Sequence, residues 1–145
     1  MASKSTISLA QRSSVADFIG IKADQLDDMF VCESWSADLA TGILWIGPQT
    51  AAFHGVSGQT CGILDIIQPY DPADWHKVLL ALEEAATVAT DISFGTSIRP
   101  RAGLYRPVFC FGHSEITANG GVIVGTFATA RRCLETTLTM PALLN

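Results

Sequence analysis

Apolar residues recur at two different spacings along this chain, and the change of spacing separates predicted helices from predicted strands. Near the start, Val15, Phe18 and Ile19 recur at helical spacing, which predicts an N-terminal helix. A longer helix is predicted to begin at Asp71, because Asp is a good N-cap and Pro72 suits the first helical position. Apolar positions of helical period predict its buried stripe, which comprises Trp75, Val78, Leu79, Leu82 and Ala86.

Alternation of period two, which is typical of strands, occupies much of the remaining chain. The predicted strands are residues 34–39, 43–46, 92–98, 104–116 and 121–129. Asn119-Gly120 is a strong hairpin signal and joins the last two. Short helices are predicted at residues 49–54 and 61–67. The chain is therefore predicted to be α+β, with a five-stranded antiparallel sheet flanked by short helices, one longer helix and an N-terminal helix.

Composition narrows the classes of function. The 145 residues are 48% hydrophobic and 16% charged, which suits one domain that can build a core without disulfides or a metal. A formal net charge of −5 argues against nucleic-acid and anionic-membrane partners. No apolar run approaches the length of a membrane-spanning helix, and the N-terminus lacks the pattern of a secretory signal, so a cytoplasmic protein is expected. The four cysteines lie far apart and are expected to be reduced thiols without a metal.

Several short motifs occur at the joints between these predicted elements. They are Trp-Ser-Ala-Asp-Leu-Ala-Thr-Gly at residues 35–42, Trp45, Ile-Gln-Pro-Tyr-Asp at residues 67–71, Arg-Pro-Arg-Ala-Gly at residues 99–103 and Gly-Val-Ile-Val-Gly at residues 121–125. With this order of elements, the sequence resembles a PAS sensor domain. The resemblance implies a PAS-like domain over residues 30–130, an N-terminal helical extension over residues 1–29 and a short C-terminal tail over residues 131–145.

The resemblance also implies a function. Many PAS domains end their last strand with an Asp-Ile-Thr-like motif that couples the sheet to an effector, whereas this chain has Thr129-Ala130-Arg131. The expected protein is a stand-alone sensory module that contacts a signalling protein, and no catalytic motif indicates an enzyme. The alternative is a constitutive dimerisation or adaptor module with a filled core and no ligand.

PAS domains can hold flavin, haem or a small metabolite between the long helix and the sheet. Cys61 lies near the position of the reactive cysteine in flavin-binding relatives, but the Asn and Arg of that motif are missing around it. His76 follows Trp75 by about 100° around the helix, which turns it away from the predicted stripe and makes it a poor haem ligand. No cofactor is therefore expected, and a haem- or flavin-binding sensor is the least favoured reading.

The interior predicted for this fold is aromatic and aliphatic, so a bound molecule is expected to be small and mostly apolar, oriented by a hydroxyl group. The same residues also suit plain core packing. The predicted pocket comprises Trp45, Phe53, Leu79, Phe94, Thr96, Phe109, Phe111 and Ile123.

The apolar face of the N-terminal helix, formed by Val15, Phe18 and Ile19, is too small to stabilise an isolated helix in water. The helix must therefore pack against something. A homodimer is predicted in which residues 8–20 contribute to a two-fold interface. The alternative is that the helix covers the sheet of its own chain.

Overall fold

The computed structural model describes residues 7–136, which form one antiparallel sheet with helices on both faces. The helices are α1 (Leu9–Ile19), α2 (Leu26–Met29), α3 (Pro48–His54), α4 (Ile63–Ile67) and α5 (Trp75–Thr87), with short 3₁₀ turns at Ala23–Gln25 and Pro72–Asp74. The strands are β1 (Phe30–Asp38), β2 (Ile43–Ile46), β3 (Thr60–Cys61), β4 (Asp91–Arg101), β5 (Leu104–Thr117), β6 (Gly120–Ala130) and β7 (Leu134–Glu135). None of the described helices is long and apolar enough to cross a membrane.

The strands pair in the order β3-β2-β1-β6-β5-β4, and β7 pairs with the start of β5. All pairs are antiparallel. The α+β class and the five predicted strands are confirmed, while β3 and β7 were not predicted. Each has only two residues, which is too short to show an alternating pattern.

The first and last long strands meet at the centre of the sheet, where Phe30 pairs with Ala130 and Asp38 pairs with Val122. Trp35 lies opposite Gly125, and its indole N–H donates to the carbonyl of Phe111 at 2.9 Å. A Cβ on Gly125 would clash with that same carbonyl. Glycine is required there because the neighbouring backbone approaches so closely.

The sheet separates two apolar clusters. The inner face carries the larger cluster and is covered by α3, α4 and α5, with Trp35, Tyr70 and Phe127 among its buried side chains. The outer face carries a smaller cluster beneath α1 and α2, which includes Val15, Leu26, Phe30, Cys32 and Ala128. Both faces of the sheet therefore carry apolar side chains that must be buried. A different part of the chain covers each face.

The long helix α5 buries a different face from the one predicted. Val78, Leu82 and Ala85 are buried, whereas Leu79 is 39% exposed. The other two predicted stripe members, Trp75 and Ala86, are exposed too. The prediction that Leu79 belongs to the core is therefore wrong: the buried stripe continues through the small side chain of Ala85, which lets the helix lie close to the sheet.

The N-terminal helix packs on its own sheet. Its first turn is capped by Ser8, whose hydroxyl accepts from the backbone N–H of Gln11 at 3.2 Å, while the Gln11 side chain accepts from the Ser8 N–H at 2.9 Å. It ends at Gly20, which adopts the left-handed conformation with φ 93°. The division of the chain at residues 29/30 and 130/131 stays a prediction, and residues 1–6 and 137–145 lie outside the described residues.

The orientation of α5 can be tested with two leucine substitutions on the same helix. Leu82→Ala removes a buried side chain and should lower the free energy of unfolding by about 2–5 kcal/mol, through lost transfer energy and the cavity left behind. Leu79→Ala should cost only about 0.5 kcal/mol because its side chain is partly solvated. Denaturant unfolding of both variants measures the difference. Equal costs would contradict this orientation.

Candidate functional site

A buried polar pair lies between the inner face of the sheet and the short helices. The Nδ1 atom of His54 is 2.7 Å from the carbonyl oxygen of Thr50, and its Nε2 atom is 2.8 Å from the Tyr70 hydroxyl oxygen. Because a carbonyl can only accept, Nδ1 carries the proton, and Nε2 accepts from the Tyr70 O–H. The His54 ring also packs edge-on against Phe127, with centroids 5.4 Å apart. Imidazole and phenol therefore satisfy each other inside an apolar cluster.

Burial controls the charge of this pair. It lowers the pKa of His54 from its usual 6.5 to about 4 and raises the pKa of Tyr70 well above 10. Both groups are therefore neutral at pH 7. With Trp35, Tyr70 and Phe127 all less than 5% exposed, this part of the inner face is filled by side chains.

A buried carboxylate attaches α3 to the sheet. One oxygen of Glu33 accepts from the backbone N–H and the hydroxyl of Thr50, at 2.7 and 2.8 Å. Its other oxygen accepts from the Gln49 N–H at 3.4 Å. These donors belong to the first turn of α3, where a negative charge is favourable. A Cβ on Gly47 would clash with the Glu33 carboxylate, so glycine is needed just before the helix.

A surface groove of about 420 Å³ opens beside His54, between the end of α3 and α4. Cys61, Asp65 and Gln68 are among the residues that line it. Burial, and secondarily the nearby Asp65 charge, raises the pKa of the Cys61 thiol. The thiol is protonated at neutral pH and is therefore a weak nucleophile.

A larger groove of about 820 Å³ lies on the outer face of the sheet, beside the N-terminal half of α1. The strand register places one row of side chains across its floor, which comprises Trp45, Ser36, Val124, His113 and Asp91. His113 Nδ1 is 2.7 Å from an Asp91 carboxylate oxygen at the far end of this row. The groove is thus apolar at the β2 end and polar at the β4 end.

Four apolar side chains next to this groove are exposed to solvent. They are Ile43 (39%), Trp45 (46%), Val122 (38%) and Val124 (52%), and we call them the open face. Their neighbours beneath α1 are covered, because Phe18 packs edge-on against Phe111 and Phe109 with centroids 4.9 and 6.0 Å away. The outer side of the sheet is therefore half covered by α1 and half open.

The structure does not bring the predicted pocket residues together. Phe94 and Ile123 are buried in the inner cluster, and Phe53 packs against its edge with the Arg106 guanidinium 4.5 Å from its ring. Half-buried Thr96 donates its hydroxyl to an Asp74 carboxylate oxygen at 2.7 Å. These four positions lie on the helix-covered side of the sheet, and their role in ligand binding stays a prediction.

The remaining predicted pocket residues lie elsewhere. Leu79 is exposed on α5, while Trp45, Phe109 and Phe111 belong to the outer side of the sheet. The expected interior position of these three aromatic residues is wrong because alternation turns Val108 and Cys110 inward on β5 and therefore turns both phenylalanines outward. On β2 the same rule turns Trp45 outward.

Of the three residues predicted to form a dimer interface, some pack on the sheet of their own chain and one stays exposed. Val15 is 2% exposed and packs on its own sheet, whereas Phe18 remains 48% exposed. Ile19 is half-buried against the outer cluster. The helix therefore covers its own sheet, and the homodimer stays a prediction.

The sequence analysis missed the polar interior. Glu33 was not singled out, although it occupies an inward-facing position of β1 between Val31 and Trp35, where alternation predicts an apolar residue. The sequence analysis assigns no role to His54, and Tyr70 enters it only as part of the motif at residues 67–71. Within residues 7–136, no group of three or more His, Cys, Asp or Glu side chains is placed to hold a metal ion. His76 is exposed, as predicted.

The buried His54 should make stability pH-dependent. Its folded pKa of about 4 lies below the usual 6.5, so the unfolded chain binds more protons between these values. The stabilisation contributed by His54 should therefore be complete above pH 6.5. The free energy of unfolding should fall by up to about 3 kcal/mol as the pH drops to 4. Urea melts should show that His54→Gln loses this component while His76→Ala retains it. A slope shared by His54→Gln and the wild type would contradict this assignment.

Comparisons with known proteins identify the fold. No protein-family model and no curated protein matches the sequence, but solved structures do. An RNA-binding light-oxygen-voltage receptor aligns over 78% of this chain with TM-score 0.58 and 10% identity, and this chain spans 33% of the receptor's length.

Two sensor structures are matched over most of their own lengths. The N-terminal domain of a diguanylate cyclase with a PAS/PAC sensor, from Marinobacter aquaeolei, aligns with TM-score 0.54 and 19% identity, over 65% of this chain and 90% of that one. A sensory box histidine kinase/response regulator from Burkholderia thailandensis aligns with TM-score 0.52 and 17% identity, over 77% and 82%. The sheet order, the helices on its inner side and these similarities show that the chain has the fold of a PAS sensor domain.

Proposed function

We propose that this protein is a non-catalytic regulatory PAS module that acts in signal transduction through protein contacts on the outer side of its sheet. The open face carries the proposal: four apolar side chains on two strands remain exposed beside a groove of about 820 Å³. Exposed apolar side chains grouped in this way, here on either side of Ser36 and Asp38, are typical of protein interaction sites. The filled inner face supports an output that depends on contacts rather than on a large internal ligand.

The partner proposed first is a second copy of the chain. Leu9 (81% exposed) and Phe18 (48% exposed) extend the apolar surface along α1, so residues 8–20 and the open face together form one candidate interface. A stable interface buries about 800 Å² on each partner, and the open face is the apolar centre that such an interface requires. A separate signalling protein is the second proposed partner.

Two other possibilities follow from the same fold. A small apolar ligand, expected from the sequence, is a second candidate function, and a constitutive adaptor without any ligand is the alternative to it. RNA binding is stated of the light-oxygen-voltage receptor. It is not proposed for this chain, because a net charge of −5 disfavours contact with phosphates.

The homodimer can be tested on the intact protein by light scattering at tens of micromolar. The wild type should be a dimer, and Val124→Lys should be a monomer because it places a charge in the centre of the open face. Leu80→Lys is a matched control, since Leu80 is similarly exposed (49%) but lies on α5. A monomeric wild type, or a Val124→Lys dimer, would refute the proposal.

The absence of a tightly held haem or flavin is also testable. The protein purified from its own host should show no absorbance band near 400–450 nm after gel filtration, because His76 is exposed and Cys61 lacks the flavin motif. Native mass spectrometry of the same sample should give multiples of 15.5 kDa, and an added mass would instead identify a bound metabolite. A retained visible band would overturn this prediction.

A further inference from the structure

The strand β4 forms one edge of the sheet, and the chain itself fills part of that edge. The Asp71 N–H donates to the Ser97 carbonyl at 2.9 Å. The Arg99 N–H donates to the Pro69 carbonyl at 3.2 Å. Residues 69–71 therefore lie antiparallel to β4 as an extended segment. The part of the edge near the C-terminal end of β4 is thus already paired.

No described strand pairs with the N-terminal half of the same edge, which we call the open edge (residues 91–95). Alternate residues of an antiparallel strand direct both backbone polar groups to the same side. The bonds to residues 69–71 show that the odd-numbered residues of β4 face away from β5. The N–H and carbonyl of Ser93 and the N–H of Gly95 therefore point outward, with no partner within residues 7–136.

Helix α5 borders the open edge on the inner side of the sheet. The Lys77 ammonium donates to the outward carbonyl of Gly95 at 2.7 Å. The helix ends at Thr87, shortly before β4 begins, so it runs back along the strand. Helical spacing places Ala81 and Glu84 on the same side of α5 as Lys77. The small side chain of Ala81 leaves room beside the strand, and Glu84 adds a negative charge.

The two ends of the open edge differ on the outer side of the sheet. The Phe109 ring lies over Gly95, 3.0 Å from the position that a Cβ would occupy. Both residues line a groove of about 560 Å³ together with Pro107. At the other end, the Asp91 side chain is 90% exposed. The open edge therefore presents an aromatic ring at one end and a carboxylate at the other.

We propose that the open edge binds an extended segment of a partner protein, which adds an antiparallel strand to β4. The backbone identifies the occupant, because an extended chain offers donors and acceptors at the spacing of a strand. Residues 69–71 of this chain already occupy the neighbouring part of the edge in the same way. The site lies at the edge of the sheet and does not depend on the open face, so the inference goes beyond the proposed function.

The side chains around the open edge determine what the segment carries. Residues directly opposite each other on paired strands project to the same face. The residue opposite Gly95 therefore contacts the Phe109 ring and should be aromatic. The residues opposite Phe94 and Ile92 project toward α5 and should be apolar. The residue opposite Asp91 should be basic. In its own direction, the segment reads aromatic, apolar, polar, apolar, basic.

The state of the open edge can be measured first on the protein alone, by NMR hydrogen exchange of backbone amides. The amides of Ser93 and Gly95 should exchange rapidly, whereas those of Ile92 and Phe94 should be protected by their bonds to β5. Protection of Ser93 in dilute protein would overturn the proposal. Protection that appears as the protein concentration rises would assign the edge to a second copy and would equally overturn it.

A peptide then tests the occupant. Acetyl-Phe-Val-Thr-Val-Lys-amide should protect the Ser93 and Gly95 amides and bind with a Kd below about 1 mM. Methylation of the threonine nitrogen removes a donor that faces β4 and should weaken binding about tenfold or more. Methylation of the next valine nitrogen is the matched control, because that N–H points away from β4. The absence of binding at about 1 mM, or equal effects of the two methyl groups, would refute the site.

Substitutions in the protein test the same contact from the other side. Ser93→Pro removes the outward N–H without removing a bond to β5, and it should weaken peptide binding about tenfold or more. Ser93→Ala keeps the N–H and should bind as the wild type does. Unchanged binding by Ser93→Pro would contradict the proposal. If this variant fails to fold, the pair of methylated peptides still decides.

The variant Val124→Lys separates this inference from the proposed function. It changes the open face and leaves the open edge intact, so it should bind the peptide as the wild type does. A protein that never dimerises but binds the peptide in this way would refute the homodimer alone. Loss of peptide binding in Val124→Lys would place the peptide on the open face and refute the edge site.

Discussion

The pairing of β1 with β6 is the constraint on which the rest of this structure depends. Nine residue pairs, from Phe30 with Ala130 to Asp38 with Val122, bring the first and last long strands together in the middle of the sheet. Both strands are then flanked by others, so their side chains alternate between two faces that must each be covered. The helices between β2 and β4 cover one face, and the helices before β1 cover part of the other. On its other side β6 packs just as closely against β5, since a Cβ on Gly125 would clash with the Phe111 carbonyl.

The inner face accommodates polar groups by pairing each with a specific partner. Glu33 is stabilised by donors at the start of α3, and His54 and Tyr70 share one hydrogen bond between neutral groups. Each arrangement compensates for lost hydration, which would otherwise make burial of these groups unfavourable. Together they hold α3 and the segment before α5 on the sheet, so this part of the inner side is filled by side chains.

The outer face has the opposite character. Helix α1 covers Phe109 and Phe111 but leaves Trp45 and Val124 exposed, and a partly solvated ion pair contributes to its attachment. Exposed apolar surface beside a helix that covers only part of the sheet is what a protein contact on this side requires. The proposed homodimer derives from this difference between a filled inner side and a half-covered outer side.

The sequence by itself determined the identity and order of the longer elements. Asp71-Pro72 marks the start of the long helix, Asn119-Gly120 forms the last hairpin, and period-two alternation locates the long strands. These signals are local, because caps, turns and alternation depend on residues close together in the chain. They also carried the resemblance to PAS domains, which the fold confirms.

Only the tertiary structure decided which side of each element is buried. Alternation shows that Phe109 and Phe111 share a face, but the pairing of β5 with β6 decides that this face lies under α1. Helical period allows either Leu79 or Ala85 in the stripe of α5, and contact with the sheet selects Ala85. The partners of Glu33, His54 and Asp27 lie up to 104 residues away, so no local pattern reveals them. Burial and polar pairing depend on distant contacts, and those exist only once the chain has folded.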